Sequence, residues 1–177
     1  MNTDEIPRKS TILVIGANST IGIAMVREFI NHGDVVIATY CKSNPKFVHR
    51  DVKWVHLDLT DEKSIEIFTK GLAKSKLRID SAIFVSGVLP GKSLENYSYK
   101  EMNTVMDVNF LGQAKCVQAL LPLLNSHSQI LMISSVSGER GSYDPIYAAS
   151  KGAVIAFVKS LATWLPPQVR CMAVAPG

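Results

Sequence analysis

Residues 11–30 constrain the fold more than any other stretch. Thr11 to Ile15 is a short apolar run, and Gly16-Ala17-Asn18-Ser19-Thr20-Ile21-Gly22 follows as a turn of mostly small residues. Ile21, Ala24, Met25 and Phe29 then recur at helical spacing as far as Ile30. Strand, glycine turn and helix in direct succession suit a phosphate site. Small residues let the backbone come close, and a helix N-terminus points N–H groups at an anion. A buried strand also needs partners, and further apolar runs at 35–39, 52–57, 81–85, 130–135 and 169–174 supply them. Helical stretches separate most of these runs. The alternation predicts βαβ units: an α/β fold, a doubly wound parallel sheet in three α/β/α layers, with ligands at the carboxyl ends of the strands.

Local signals set the boundaries. Gly33 ends the first helix. Thr60 reads as the N-cap of a second helix with Asp61 and Glu62 in its first turn, and Ile65, Ile67, Phe68 and Leu72 form its apolar side. Ser98-Tyr99-Lys100-Glu101 is a capping box. The helix behind it, from Met102 to Leu121, is apolar around much of its girth, and Pro122 and Asn125 mark its end. Burial against the sheet and a second subunit fits that pattern, and so does burial within one subunit. Asp144 and Pro145 open a last helix as N-cap and first helical residue, and it runs to about Trp164.

Chemistry concentrates between Ser135 and Lys151. Tyr147 and Lys151 stand four apart on one helix face. Taken alone, such a pair also reads as a surface contact. An ammonium near a phenol favours the phenolate and brings it toward acid/base use. Ser135 closes the strand that precedes this helix. Its hydroxyl and the Tyr/Lys pair can meet over one carbonyl, with Ser135 binding the oxygen, Tyr147 exchanging its proton and Lys151 tuning Tyr147.

Other functions find little support. Hydrophobic residues at 47% and charged residues at 19% are globular values that exclude a disordered chain. The net charge of +4 is scattered, with no basic run interleaved with aromatics, so nucleic acid is not expected. Cys41, Cys116 and Cys171 lack metal spacing, as do the four histidines, and the cysteines fit a reducing compartment. Met1 to Ser10 lacks the apolar core of a signal peptide, and no apolar run approaches the roughly 20 residues of a membrane span. The expectation is a soluble cytoplasmic chain: one nucleotide-binding domain over residues 1–177, with 1–10 as a flexible tail.

With these pieces in order, the chain resembles the single-domain branch of the short-chain dehydrogenase/reductase family from about Ser10 to Gly177, with a Rossmann-like fold. The glycine turn resembles the family's T-G-x-x-x-G-x-G. Asp58-Leu59-Thr60 resembles its adenine-side segment, Ser86-Gly87 stands at its N-N-A-G, and Met106-Asp107-Val108-Asn109-Phe110 resembles the segment holding its active-site Asn. Ile133 to Gly138, Tyr147 to Lys151 and Val174 to Gly177 complete the series. The resemblance implies hydride transfer between a nicotinamide cofactor and a carbonyl/alcohol pair. Tyr147 is then the general acid in reduction, Ser135 orients the oxygen, Lys151 binds the nicotinamide ribose, and Asn109 holds a relay water. Ser134 competes with Ser135, which is preferred because it lies twelve residues before Tyr147 and directly precedes Val-Ser-Gly. The implied cofactor set is Gly16, Asn18, Ser19, Thr20, Ile21, Gly22, Tyr40, Lys42, Asp58, Leu59, Ser86, Gly87, Tyr147, Lys151, Pro176 and Gly177. Val88, Val136, Ser137 and Tyr143 are the substrate-side candidates.

Several positions depart from the family pattern. Ile15 and Thr20 replace a Thr and a Gly of the turn, and Phe84-Val85-Ser86 replaces Asn-Asn-Ala. Tyr40 stands where users of NAD carry an Asp, with Lys42 beyond it, which favours NADP(H) over NAD(H). Ser19, where many NADP users have Arg, argues the other way. The sequence reaches Gly177 without the family's substrate-covering segment. Either the gene product continues beyond Gly177 or that part is absent; in the second case a non-catalytic dinucleotide-binding or scaffold protein is the alternative to an enzyme. The family also implies a homodimer or homotetramer formed through the helices after Ser98 and Pro145.

Overall fold

The computed structural model describes residues 9–45 and 47–177; most of the expected tail lies outside them. Six strands form one sheet in the order β3-β2-β1-β4-β5-β6, every neighbouring pair parallel. They are β1 Thr11–Ile15, β2 Val35–Tyr40, β3 Val52–His56, β4 Ile79–Phe84, β5 Leu124–Ile133 and β6 Val169–Val174. The helices are α1 Thr20–Asn31, α2 Glu62–Lys74, α3 Tyr99–Met106, α4 Gly112–Leu120, α5 Ser137–Arg140 and α6 Pro145–Trp164.

The alternation of side chains along β1 separates two cores. Ile12 and Val14 face α1 and pack with Val26, Val36, Ala38 and Ile83. Leu13 and Ile15 face the opposite layer, where α2, α4 and α6 contribute Phe68, Leu72, Val117, Leu120, Val154 and Val158. Burial on both faces explains why the central strands read as unbroken apolar runs. From β1 the chain winds one way to β2 and β3 and the other way to β4, β5 and β6. The switch point therefore lies between the carboxyl ends of β1 and β4, where a crevice opens in such sheets.

Several boundaries differ from the sequence reading. The N-cap of α2 is Asp61, whose side chain accepts from the Lys63 N–H. Thr60 instead donates both its N–H and its hydroxyl to Asp58. The helix expected from Ser98 onward keeps its capping box but is interrupted by a π-helical turn at Asp107–Leu111 and ends in a 3-10 turn at Leu121–Leu123. Strand β5 begins at Leu124, six residues before the apolar run: Leu124 pairs with Ile79, and after a register shift the ladder with β4 resumes at Gln129. The strand ends at Ile133, which leaves Ser134 and Ser135 just beyond it.

Candidate active site

The glycine turn has the geometry its composition suggests. Gly16 has φ of 85°, and a Cβ there would lie 2.5 Å from Ser86 Oγ and 2.7 Å from Ser86 N. Glycine is required both by the backbone angle and by the approach of the β1 and β4 loops. Ser19 caps α1: its Oγ accepts from the Gly22 N–H at 3.1 Å and donates to Gly16 O at 2.9 Å. Thr20 is the first helical residue, so the loss of the family glycine demands no left-handed backbone. Ile21 and Thr20 lie exposed at this mouth, and Gly22 is pressed against Ala17.

The outer half of the crevice is built from β2 and β3. Tyr40 meets His56 edge-on, with ring centroids 5.6 Å apart. Asn18 donates to Ser43 O at 2.9 Å and to Ser43 Oγ at 3.0 Å, fastening the loop after β2 to the glycine turn, while Lys42 stays exposed. Burial pushes Asp58 up, but donors from Thr60 and the Cys41 thiol outweigh it and hold the carboxylate below its ordinary range. Leu59 is buried, and its carbonyl lies against Gly112, where a Cβ would approach to 2.1 Å.

At the inner end, β5 is docked on α6. Ser134 donates its hydroxyl to Lys151 O at 2.8 Å, and Lys151 Nζ donates to Ile133 O at 2.7 Å. Gly138 of α5 lies against the Lys151 backbone, where a Cβ would sit 2.6 Å from the carbonyl carbon. Ser135 is thereby held beside this junction with its oxygen fixed by the Ser137 N–H at 3.1 Å. Lys151 is 4% exposed, and burial pushes its pKa down to about 8. Its ammonium stands 5.9 Å from the centroid of the Tyr147 ring. Gly87 leaves room for it, since a Cβ there would sit 3.4 Å from Nζ.

Asn109 lies in the π-helical turn and is fully buried. Its Oδ1 accepts from the Val88 N–H at 2.7 Å, and its Nδ2 donates to Val88 O at 2.9 Å and to Ser150 Oγ at 3.0 Å. Both amide hydrogens are therefore committed, one to the loop after β4 and one to Ser150 of α6, rather than being free for a water. Ser134 has likewise spent its hydroxyl on structure. Pro176 O accepts from the Val136 N–H at 3.0 Å, which brings the 176–177 segment beside the Ser135 loop.

Three residues escaped the sequence reading. Ser150 links Asn109 to Tyr147 O. Gln113, buried in an apolar helix face four residues after Asn109, donates to Ser86 O and Val108 O. Tyr97 donates its hydroxyl to Asp144. A polar pair at i and i+4 among apolar neighbours was the available signal for Gln113. Nothing local marked Tyr97. A separate groove of about 460 Å³ between β3 and α2, lined in part by Lys53, Val55 and Phe68, borders the crevice at His56.

A nicotinamide dinucleotide fits this crevice: the glycine cradle at Gly16, the N-terminus of α1 and the space beside Gly87 lie along one line of strand ends. A family model described as short chain dehydrogenase matches residues 10–177. An uncharacterized oxidoreductase of Schizosaccharomyces pombe is 32% identical over 169 residues, covering 89% of this chain and 56% of that protein. The ligand-free aldohexose dehydrogenase of Thermoplasma acidophilum superposes with a TM-score of 0.88 at 26% identity, over 96% of this chain and 66% of that one. A short-chain dehydrogenase of Leptospira borgpetersenii with bound NAD+ superposes at 0.87 with 23% identity, over 96% and 71%, a likeness of fold alone. The chain spans 54 to 59% of the length of three of the curated relatives it matches.

Proposed function

The chain belongs to the short-chain dehydrogenase family, and on that premise we propose that it interconverts a carbonyl and a secondary alcohol, a bound nicotinamide dinucleotide supplying or taking up the hydride. The observation that carries this reading is the buried Lys151 ammonium, anchored to Ile133 O beside the Tyr147 ring. Tyr147 gives its proton to the carbonyl oxygen in reduction and recovers it in oxidation. Ser135 donates to the same oxygen, its own Oγ being steadied by the Ser137 N–H. Ser134 does not compete, because its hydrogen is already given to Lys151 O. An ammonium has three donors. Lys151 spends one on Ile133 O, and the other two serve the ribose and a proton path to solvent. Asn109 holds Val88 and Ser150 in place around this centre, and any relay water rests on its oxygen atoms.

The cofactor side favours NADP(H) over NAD(H). Tyr40 offers no carboxylate to repel a 2′-phosphate, and exposed Lys42 lies beside a loop that Asn18 keeps fastened. Asp58 leaves the opposite bias small, since Thr60 and Cys41 already occupy its carboxylate. Gly16, Ser19, Thr20, Ile21 and Gly22 take the pyrophosphate, Leu59 and Ser86 flank the adenosine, and Pro176 and Gly177 border the nicotinamide. The substrate lies against Val88, Val136, Ser137 and Tyr143. Subunits associate through the α3–α4 and α6 faces, where Leu111 is exposed. The three free cysteines suit the cytoplasm.

Calorimetric titration of the 177-residue chain with NADPH and with NADH, followed by a carbonyl panel, tests the proposal. The expected result is tighter binding of NADPH, and turnover that Tyr147→Phe lowers by at least ~100-fold with cofactor affinity retained. Tighter NADH binding overturns the cofactor assignment alone. Undiminished turnover in Tyr147→Phe overturns the catalytic assignment.

A further inference from the structure

Asp144 does more than cap α6. Its carboxylate is 3% exposed and is surrounded by donors from two separate parts of the chain. Oδ1 accepts from the Tyr147 N–H at 2.9 Å, and Oδ2 accepts from the Gly91 N–H at 2.9 Å and the Lys92 N–H at 3.3 Å. The Tyr97 hydroxyl donates across both oxygens, at 2.8 and 2.7 Å. One end of the carboxylate therefore holds the backbone of Tyr147. The other end holds the loop after β4, whose Val88 is already tied to Asn109. Tyr97 spans the two ends.

Tyr97 is itself fixed. It is buried, it precedes the capping box of α3, and the Lys92 ammonium lies 5.9 Å from its ring centroid while also pairing with Glu101 of that box. A ring fixed just before a capped helix thus delivers a hydroxyl to a buried carboxylate, a charge-assisted bond of the stronger kind. We propose that Tyr97 and Asp144 form a positioning pair that sets the Val88–Lys92 wall of the cleft against Tyr147. The wall and the proton-donating phenol then share one reference point, so neither can shift without the other. The catalytic meaning of the pair rests on the role given above to Tyr147; the mechanical coupling does not.

Tyr97→Phe keeps the ring and removes only the hydroxyl. Amide hydrogen exchange by NMR in the uniformly labelled chain reads the coupling without any substrate. Exchange at Gly91, Lys92 and Tyr147 is expected to speed up about tenfold, while β1 and β4 amides keep their protection. Asp144→Asn, whose side chain remains a good N-cap, is expected to keep Tyr147 protected and to release Gly91 and Lys92. Unchanged exchange at the three amides in Tyr97→Phe overturns the pair. A uniform acceleration that includes the β1 and β4 amides also overturns it, because Tyr97 would then be a stabilising residue only. In turnover assays the expected change in Tyr97→Phe is a several-fold fall in kcat with NADPH affinity within about twofold of wild type. If exchange responds as expected while Tyr147→Phe leaves turnover intact, the coupling stands and the catalytic assignment of Tyr147 is what fails.

Discussion

Lys151 keeps an ammonium where water barely reaches it, and that cost has a pH signature. Burial lowers its pKa from 10.5 to about 8. Below about 8 both the folded and the unfolded chain carry the proton, and the folded state bears the full desolvation cost, on the order of 3 kcal/mol. Between about 8 and 10.5 the unfolded chain holds the proton while the folded chain has released it, so this group makes stability rise with pH through that window. Lys151→Met removes the term. Urea unfolding at ~7.5 and ~10 should show the difference between wild type and variant moving toward wild type at the higher pH, by on the order of 2 kcal/mol. A difference that does not move would mean that the ammonium is solvated. The spacing of Tyr147 and Lys151 was legible in the sequence because four residues place two side chains on one helix face. That Ser134 bonds Lys151 O, or that Asn109 spends its amide on Val88, was not, since both depend on contacts between distant elements.

At the scale of elements, caps and glycines carried most of the readable information. Asp144, Pro145 and the Ser98 capping box stand where local chemistry puts them, because each acts within four residues of itself. The π-helical turn at Asp107–Leu111 left no such mark. Its sequence is periodic like any helix, and the extra residue per turn goes with long-range bonds from Asn109 to Val88 and from Gln113 to Ser86. Gly112 follows the turn directly and rests on the segment after β3. Helix propensity alone would make Gly112→Ala favourable by about 1 kcal/mol. The added Cβ would instead lie 2.1 Å from Leu59 O and 2.9 Å from Asp107 O, both backbone atoms that cannot swing aside. Overpacking of that kind costs more than the propensity gain, and a net loss of about 2 kcal/mol or more is expected in urea unfolding. Because Leu59 is proposed to flank the adenosine, NADPH affinity should fall in the same variant. A neutral or stabilising effect would mean that α4 can slide away from that segment.

Across the whole molecule, the sheet is unequally covered, and one row of side chains displays it. Trp54, Ala38, Val14, Ile83, Leu131 and Met172 stand in register from β3 to β6 on the α1 face. Ala38 and Val14 are fully buried and Ile83 nearly so, Leu131 is half-buried, and Met172 is 43% exposed. The opposite face carries α2, α4 and α6, whereas among the described residues α1 alone packs on this one. Beside Met172, Val174 is 48% exposed on the same edge strand. An apolar edge strand with unpaired backbone groups is a template for association. Besides the α3–α4 and α6 contact proposed above, the 177-residue chain should therefore self-associate through this edge as its concentration rises, and sedimentation velocity should show this as a rising mean sedimentation coefficient. Met172→Lys places a charge on the exposed face of the edge strand without touching the cores that hold α4 and α6. It should weaken that association several-fold while NADPH binding stays intact, because the glycine cradle at the switch point lies two strands away. Association unchanged by the charge would move the contact to the α3–α4 and α6 surfaces. Leu111→Lys would then be the variant that dissolves it, and the two substitutions together decide which layer of the sheet meets its neighbour.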